Sequence, residues 1–160
     1  MNYYIGIDPG KKGAITIIDL EGNYIESYPF EELNDNIDQI GIASFLKKYS
    51  SCCKHAILED VHAVFGSSAA GTFSFGWCKG FLEGVLSSLC IPYTLVSPRL
   101  WQKEMWIGTR IRGKNKEISI ATAKKLFPSV DLRRSVRCKK DDDNIADSLL
   151  LAMYGARKRL

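Results

Sequence analysis

Residues 3–30 read YYIGIDPGKKGAITIIDLEGNYIESYPF. Three short runs rich in β-branched and aromatic side chains, at 3–8, 14–19 and 24–30, are separated by two turn signals, PGKKG and LEGN. Apolar runs punctuated by Gly, Pro and Asn predict strands joined by tight turns, here an antiparallel meander. The pattern then changes. Residues 37–49 carry Ile37, Ile40, Phe45 and Leu46 at helical spacing. HAILED at 55–60 predicts a buried strand, 61–72 a Gly/Ser/Ala-rich loop, 73–89 a helix and 92–97 another strand. Pro98 opens a short helix, PRLWQKEM, as proline commonly does at a first helical position. A Gly/Arg/Lys-rich loop at 108–116 leads to a helix at 117–127 that stops before Pro128. A basic connector at 129–140 precedes a last helix at 141–157, acidic in its first turn and basic in its last, as the helix dipole favours. A meander followed by alternating strands and helices predicts an α/β fold, a five-stranded mixed sheet flanked by helices.

The 160 residues contain no internal repeat, low-complexity tract or Pro/Ser linker, so residues 1–160 are expected to form a single domain. A hydrophobic content of 46% with 25% charged residues excludes a disordered chain or a rod. No apolar run approaches the roughly 20 residues that span a bilayer. The start, MNYYIGIDPGKKG, lacks a basic segment followed by an apolar one, so no secretory signal is read there. Five cysteines, an odd number without a CxxC pair, argue against a disulfide framework or a zinc site. They predict reduced thiols and a cytoplasmic setting, a phage-infected or bacterial cell, with an organelle as the alternative.

The formal charge of +4 hides an asymmetry. Residues 1–98 hold 6 basic and 11 acidic side chains, and residues 99–160 hold 16 basic and 7 acidic. A basic half on a modest domain points to a polyanionic partner, most often nucleic acid.

Against that basic half stand carboxylates at strand ends. Asp8 ends the first strand, with Gly6 on its face and Ile5 and Ile7 on the other. Gly6 is expected to leave room beside the carboxylate. Glu59 closes the HAILED strand. In the last helix, DDDNIADSLLLA, Asp143 and Asp147 lie one turn apart on one face, as do Asn144 and Asp147. Asp141 and Asp142 suit capping of the helix. Asp147 stands among apolar residues, where a carboxylate is costly unless paired or metal-bound. Clustered carboxylates without His or Cys suit Mg²⁺, with Mn²⁺ as a substitute. With a polyanionic partner, the matching chemistry is two-metal phosphodiester hydrolysis. Gly76, Gly80 and Gly84 recur every fourth residue, predicting close backbone approach either to the sheet or to a second copy of the chain.

The segments IGIDPGKKGAITIID, AILEDV, FSFGWCKGFLEG, PYTLVSPRLWQKEM, KNKEISIATAKKLFP and DDDNIADSLLLA, in that order, resemble the RuvC-like Holliday junction resolvases of the RNase H-like superfamily, in particular phage-type members. The resemblance implies a metal-dependent homodimeric endonuclease that nicks four-way and other branched DNA junctions symmetrically. It implies Asp8, Glu59, Asp143 and Asp147 as metal ligands and catalytic acids, with Asn144 as the alternative to Asp143. It further implies Lys116, or its neighbour Lys114, near the scissile phosphate. His62, Phe65 and Phe73 become candidates for stacking in the junction. Arg110, Arg112, Lys114, Arg133, Arg134, Arg137, Lys139 and Lys140 become candidate contacts to the DNA backbone. Two rival expectations share the fold: a nuclease for other branched DNA or RNA substrates, and a junction-binding protein without catalysis.

Overall fold

A computed structural model describes residues 2–33, 36–61, 68–108 and 113–160. The meander forms as its sequence dictates: β1 (Tyr3–Asp8), β2 (Ala14–Asp19) and β3 (Tyr24–Pro29) pair antiparallel in succession. The β2–β3 turn is tied by Asp19, which accepts from the Asn23 backbone at 2.7 Å and from its side chain at 2.9 Å. A small hairpin follows, β4 (Glu32–Leu33) with β5 (Asn36–Ile37). The helix expected from 37 begins as α1 (Gln39–Ser50), because Asp38 caps it by accepting from the Gly41 N–H at 2.9 Å. Ile37 is therefore a strand residue, and Ile40 is 82% exposed, contrary to the expected apolar face. The buried stripe is Ile42, Leu46 and Tyr49, spaced four and three apart.

β6 (Cys53–Glu59) pairs parallel with β1, and β7 (Tyr93–Val96) pairs parallel with β6. The sheet order is β3-β2-β1-β6-β7, a mixed five-stranded sheet as the sequence predicts. Between β6 and β7 runs α2 (Ala69–Ser88), starting earlier than expected because the Ser68 hydroxyl accepts from the Gly71 N–H at 3.1 Å. The remaining helices are α3 (Pro98–Met105), α4 (Asn115–Leu126) and α5 (Asp143–Lys158). Among the described residues, no helix is long and apolar enough to cross a membrane. All five cysteines are free thiols.

Strand alternation sorts the side chains into two cores. Ile5, Ile7, Ile15, Ile17, Ala56 and Leu58 join the α1/α2 core with Leu46, Leu82 and Leu86. Tyr4, Ile18, Ile57 and Val96 join the α3/α4/α5 core with Trp101, Leu149 and Leu150. Gly6 opens the second face for the backbone of α5. A Cβ there would overlap the Ser148 carbonyl oxygen and the Ala152 nitrogen. The room expected beside Asp8 is thus occupied by a helix, which brings Asp147 over the strand ends. A buried chain of hydroxyls fixes the same contact, Ser148 Oγ to Thr16 Oγ1 at 2.7 Å and Thr16 Oγ1 to Ser27 Oγ at 2.8 Å.

Candidate active site

Asp8 and Glu59 each stand one step beyond the paired residues Ile7 and Leu58, so adjacent parallel strands end in a carboxylate side by side. Both are buried. Asp8 shares the α5 face with Gly6, and Glu59 shares it with Ile57. Asp8 is tethered weakly, accepting from the Gly10 N–H at 3.3 Å. Burial pushes its carboxyl well above the usual range, and the nearby Glu59 and Asp147 push it further. Glu59 is raised by burial, partly offset by an indole donor. That donor is Trp101, fully buried on α3, whose Nε1–H reaches Glu59 Oε1 at 2.8 Å.

Asp147 is raised to about 7, first by burial and then by Glu59 and Asp143; the Ser119 hydroxyl on α4 works against this by hydrogen bonding to the carboxylate. Oδ1 of Asp147 is buried and has no hydrogen-bond partner. Asp8, Glu59 and Asp147 therefore share one charged locality, and Asp143 acts on both Asp8 and Asp147. Among the described residues, no group of three His, Cys, Asp or Glu side chains is placed to hold one ion as it stands. The acids are coupled by charge without being closed into a cage.

The other acids nearby or partly buried are satisfied internally. Burial raises Asp19 and Asp142, but the Asn23 bonds hold Asp19 below its ordinary value and Arg134 with Asn144 hold Asp142 below its own. Asp142 caps α5, accepting from the Asn144 and Ile145 backbone N–H groups. The Asn144 side chain also donates to Asp142, at 3.0 Å, so its amide serves the cap. Asp141 pairs with Lys124 at 2.6 Å. Asp143 pairs with Lys116 at 2.7 Å, and this bond raises the lysine pKa. Lys114 is the exposed N-cap residue of α4. Of the two lysines, Lys116 is the one that contacts an acidic candidate.

The basic candidates divide. Arg133 forks onto Asp131. Arg134 is a clamp: it donates to Asp142 Oδ2 at 2.7 Å, to the Phe30 carbonyl at 2.9 Å and to the Lys12 carbonyl. It ties the connector, the Pro9–Gly13 turn beside Asp8 and the start of α5 together. Sequence reasoning treated it as one more surface cation. Arg137, Lys139 and Lys140 are exposed and make no ion pair among the described residues. Lys139 and Lys140 line an open cleft of about 830 Å³ between the connector and the β3–β4 segment. Phe73 is 75% exposed on the first turns of α2. His62, Phe65, Arg110 and Arg112 lie outside the described residues. Trp101 and Ser119 were not foreseen. Both are buried on helices remote in sequence, and no local pattern marks them.

No protein-family model matches the chain, and no curated protein matches it by sequence. Solved structures do. A Thermus thermophilus RuvC in complex with Holliday junction substrate superposes with a TM-score of 0.67 at 12% identity, covering 99% of this chain and 96% of that one. A Thermus thermophilus RuvC structure gives 0.67 at 14% identity, covering 98% and 96%. This chain has a RuvC-like fold. In that RuvC-like frame, the carboxylates lie at the ends of the two central parallel strands and on the helix packed across them.

Proposed function

We propose that the chain is a structure-selective endonuclease that resolves four-way DNA junctions by divalent-metal-dependent phosphodiester hydrolysis. The observation carrying this reading is the buried acidic cluster on a RuvC-like fold: Asp8, Glu59 and Asp147 each held above their ordinary pKa, with an unpartnered carboxylate oxygen on Asp147. Buried like charges of this kind call for a cation. The donor set is all oxygen, which fits Mg²⁺ or Mn²⁺. Asp8, Glu59 and Asp147 would hold the metal, with Asp143 contributing where Lys116 shares it. Held there, divalent ions would supply activation of a water and charge stabilisation at the leaving oxygen.

The chain's own residues do the rest. The strand ends and α5 fix the acids on rigid elements. Lys116, exposed at the rim and paired with Asp143, brings a positive charge to the scissile phosphate. Arg137, Lys139 and Lys140, together with Arg110, Arg112, Lys114 and Arg133, track phosphates outside the site. Arg134 holds the connector in place. Phe73, with His62 and Phe65, supplies aromatic surface for unstacked bases at the crossover. A junction with two-fold symmetry needs two equivalent sites, so the working form is a C2 homodimer.

The test is an end-labelled immobile four-way junction beside linear duplex of the same sequence, with Mg²⁺ or Mn²⁺ and with EDTA. Paired symmetric nicks on the junction are expected, abolished in EDTA and in Asp147→Asn, while the variant still shifts the junction in a gel. Equal cutting of linear duplex, or binding without cutting by the wild type, overturns the assignment.

A further inference from the structure

Trp101 does more than fill the core. Its side chain is completely buried in the cluster beneath α5, edge to face with Trp106 at 6.1 Å. Yet its one polar atom is directed at Glu59, 2.8 Å away in a buried bond between residues 42 apart in sequence. Among the described residues, no donor bonds the other Glu59 oxygen. Asp147 repeats the arrangement. A buried hydroxyl, Ser119, bonds the carboxylate, while Oδ1 is left without a partner. Both donors are neutral. A lysine or arginine in either place would neutralise the carboxylate and compete with a cation. An N–H or O–H fixes its orientation and leaves its charge. Both donors sit on helices packed against α5, Trp101 on α3 and Ser119 on α4.

Resting on the metal-dependent reading above, we infer that Trp101 is a positioning residue. Its indole N–H holds one oxygen of Glu59 so that the other faces Asp8 and Asp147, and this sets the affinity of the acidic cluster for a divalent cation. The fixed carboxylate meets the ion without first being ordered. The loss expected on removing such an outer donor is about 10- to 100-fold in metal affinity.

Trp101→Phe removes the donor and keeps most of the ring volume. The probe is Mn²⁺, its binding to the whole protein followed by electron paramagnetic resonance. The variant should bind Mn²⁺ at least about tenfold more weakly, and its junction cleavage should recover at higher Mn²⁺. Junction affinity in EDTA should be unchanged. A folded variant with wild-type Mn²⁺ affinity overturns the inference and leaves Trp101 a core residue. A second measurement does not depend on that variant folding. The three indole N–H resonances of the wild type are compared with those of Glu59→Gln. One should move strongly in Glu59→Gln, and that same one should shift when Mg²⁺ is added to the wild type. Unmoved resonances overturn the inference. If Mn²⁺ binds through Glu59 and Trp101 but no junction is cut, the positioning role stands and the resolvase reading falls.

Discussion

The two faces of the sheet are built differently. The face under α1 and α2 is aliphatic: Ile5, Ile7, Ile15, Ile17 and Leu58 meet Ile42, Leu46, Leu82 and Leu86. The face under α5 carries Gly6, Thr16, Asp8 and Glu59, and meets Ser148 and Asp147. One face buries methyl groups, which is favourable almost wherever they land. The other buries carboxylates and hydroxyls, which is tolerable only at fixed distances. Both faces supply stability through their apolar cores, and the second gives back some of it to hold charges together. Substitutions on the two faces should separate folding from chemistry.

The widest separation comes from Gly6→Ala against Leu82→Ala. The new methyl at residue 6 has backbone on its far side, the Ser148 carbonyl and the Ala152 nitrogen, so α5 itself must shift. We expect a loss of about 4 kcal/mol or more, with cleavage per folded molecule falling steeply because Asp147 moves with the helix. Leu82→Ala opens a cavity on the opposite face and costs about 3 kcal/mol. Cleavage per folded molecule should then stay near wild type. Denaturant unfolding gives the folded fraction, and junction cleavage normalised to it checks both. Equal specific activity in the two variants would break the division of labour between the faces.

That division was partly legible in the sequence. Asp8 and Glu59 stood out because each ends a run whose apolar character already implied burial. Asp147 stood out because it interrupts an apolar helix. These are local contrasts. Trp101 carries no such contrast: in PRLWQKEM it reads as one apolar position on a short amphipathic helix, and only the packing of α3 beside α5 aims it at Glu59. Arg134 was hidden for the opposite reason, since its neighbours Arg133 and Arg137 have the same composition and a different job. Ile40 was misread because the helix phase is set by Ile42, Leu46 and Tyr49, and a residue two before Ile42 points nearly the other way. The β4–β5 hairpin has only two residues per strand, too few for an alternation to be seen.

A second prediction uses the pH dependence of the metal-free protein. Asp8, Glu59 and Asp147 all have folded pKa values above their unfolded ones, Asp147 at about 7. The native state therefore holds protons that the unfolded chain has released. The stability these groups contribute is complete below the unfolded carboxylate pKa, about 4, and is lost as pH rises through the folded values. In EDTA, Tm should fall between pH 5 and pH 8. Asp147→Asn should flatten that slope, and Mg²⁺ should raise Tm more at pH 8 than at pH 5. Asp142 has the opposite sign: held low against burial by Arg134 and Asn144, it contributes above about pH 4 and loses that contribution in acid. An Asp147→Asn protein with the wild-type slope would show that the cluster's repulsion is relieved in some other way.

The smallest effect concerns the outer side of α2. A Cβ at Gly76, Gly80 or Gly84 would meet nothing within 4 Å, so these glycines do not pack on the sheet. Each lowers helix stability by about 1 kcal/mol relative to alanine, a cost with no return inside this chain. Close approach by a second copy would return it. Gly80→Ala on a face open to solvent should raise Tm slightly, by about 0.5–1 kcal/mol of stability, independent of protein concentration. On a dimer seam, Gly80→Leu should shift sedimentation from dimer to monomer while leaving the fold intact, because within one chain the new side chain has space. Junction cleavage should then lose its paired character, giving single nicks where the wild type gives two. An unchanged dimer carrying leucine at this position would move the interface elsewhere and leave the glycine stripe unexplained. A monomeric wild type would remove the seam altogether, and with it the symmetry argument that ties this face of the molecule to the acidic one.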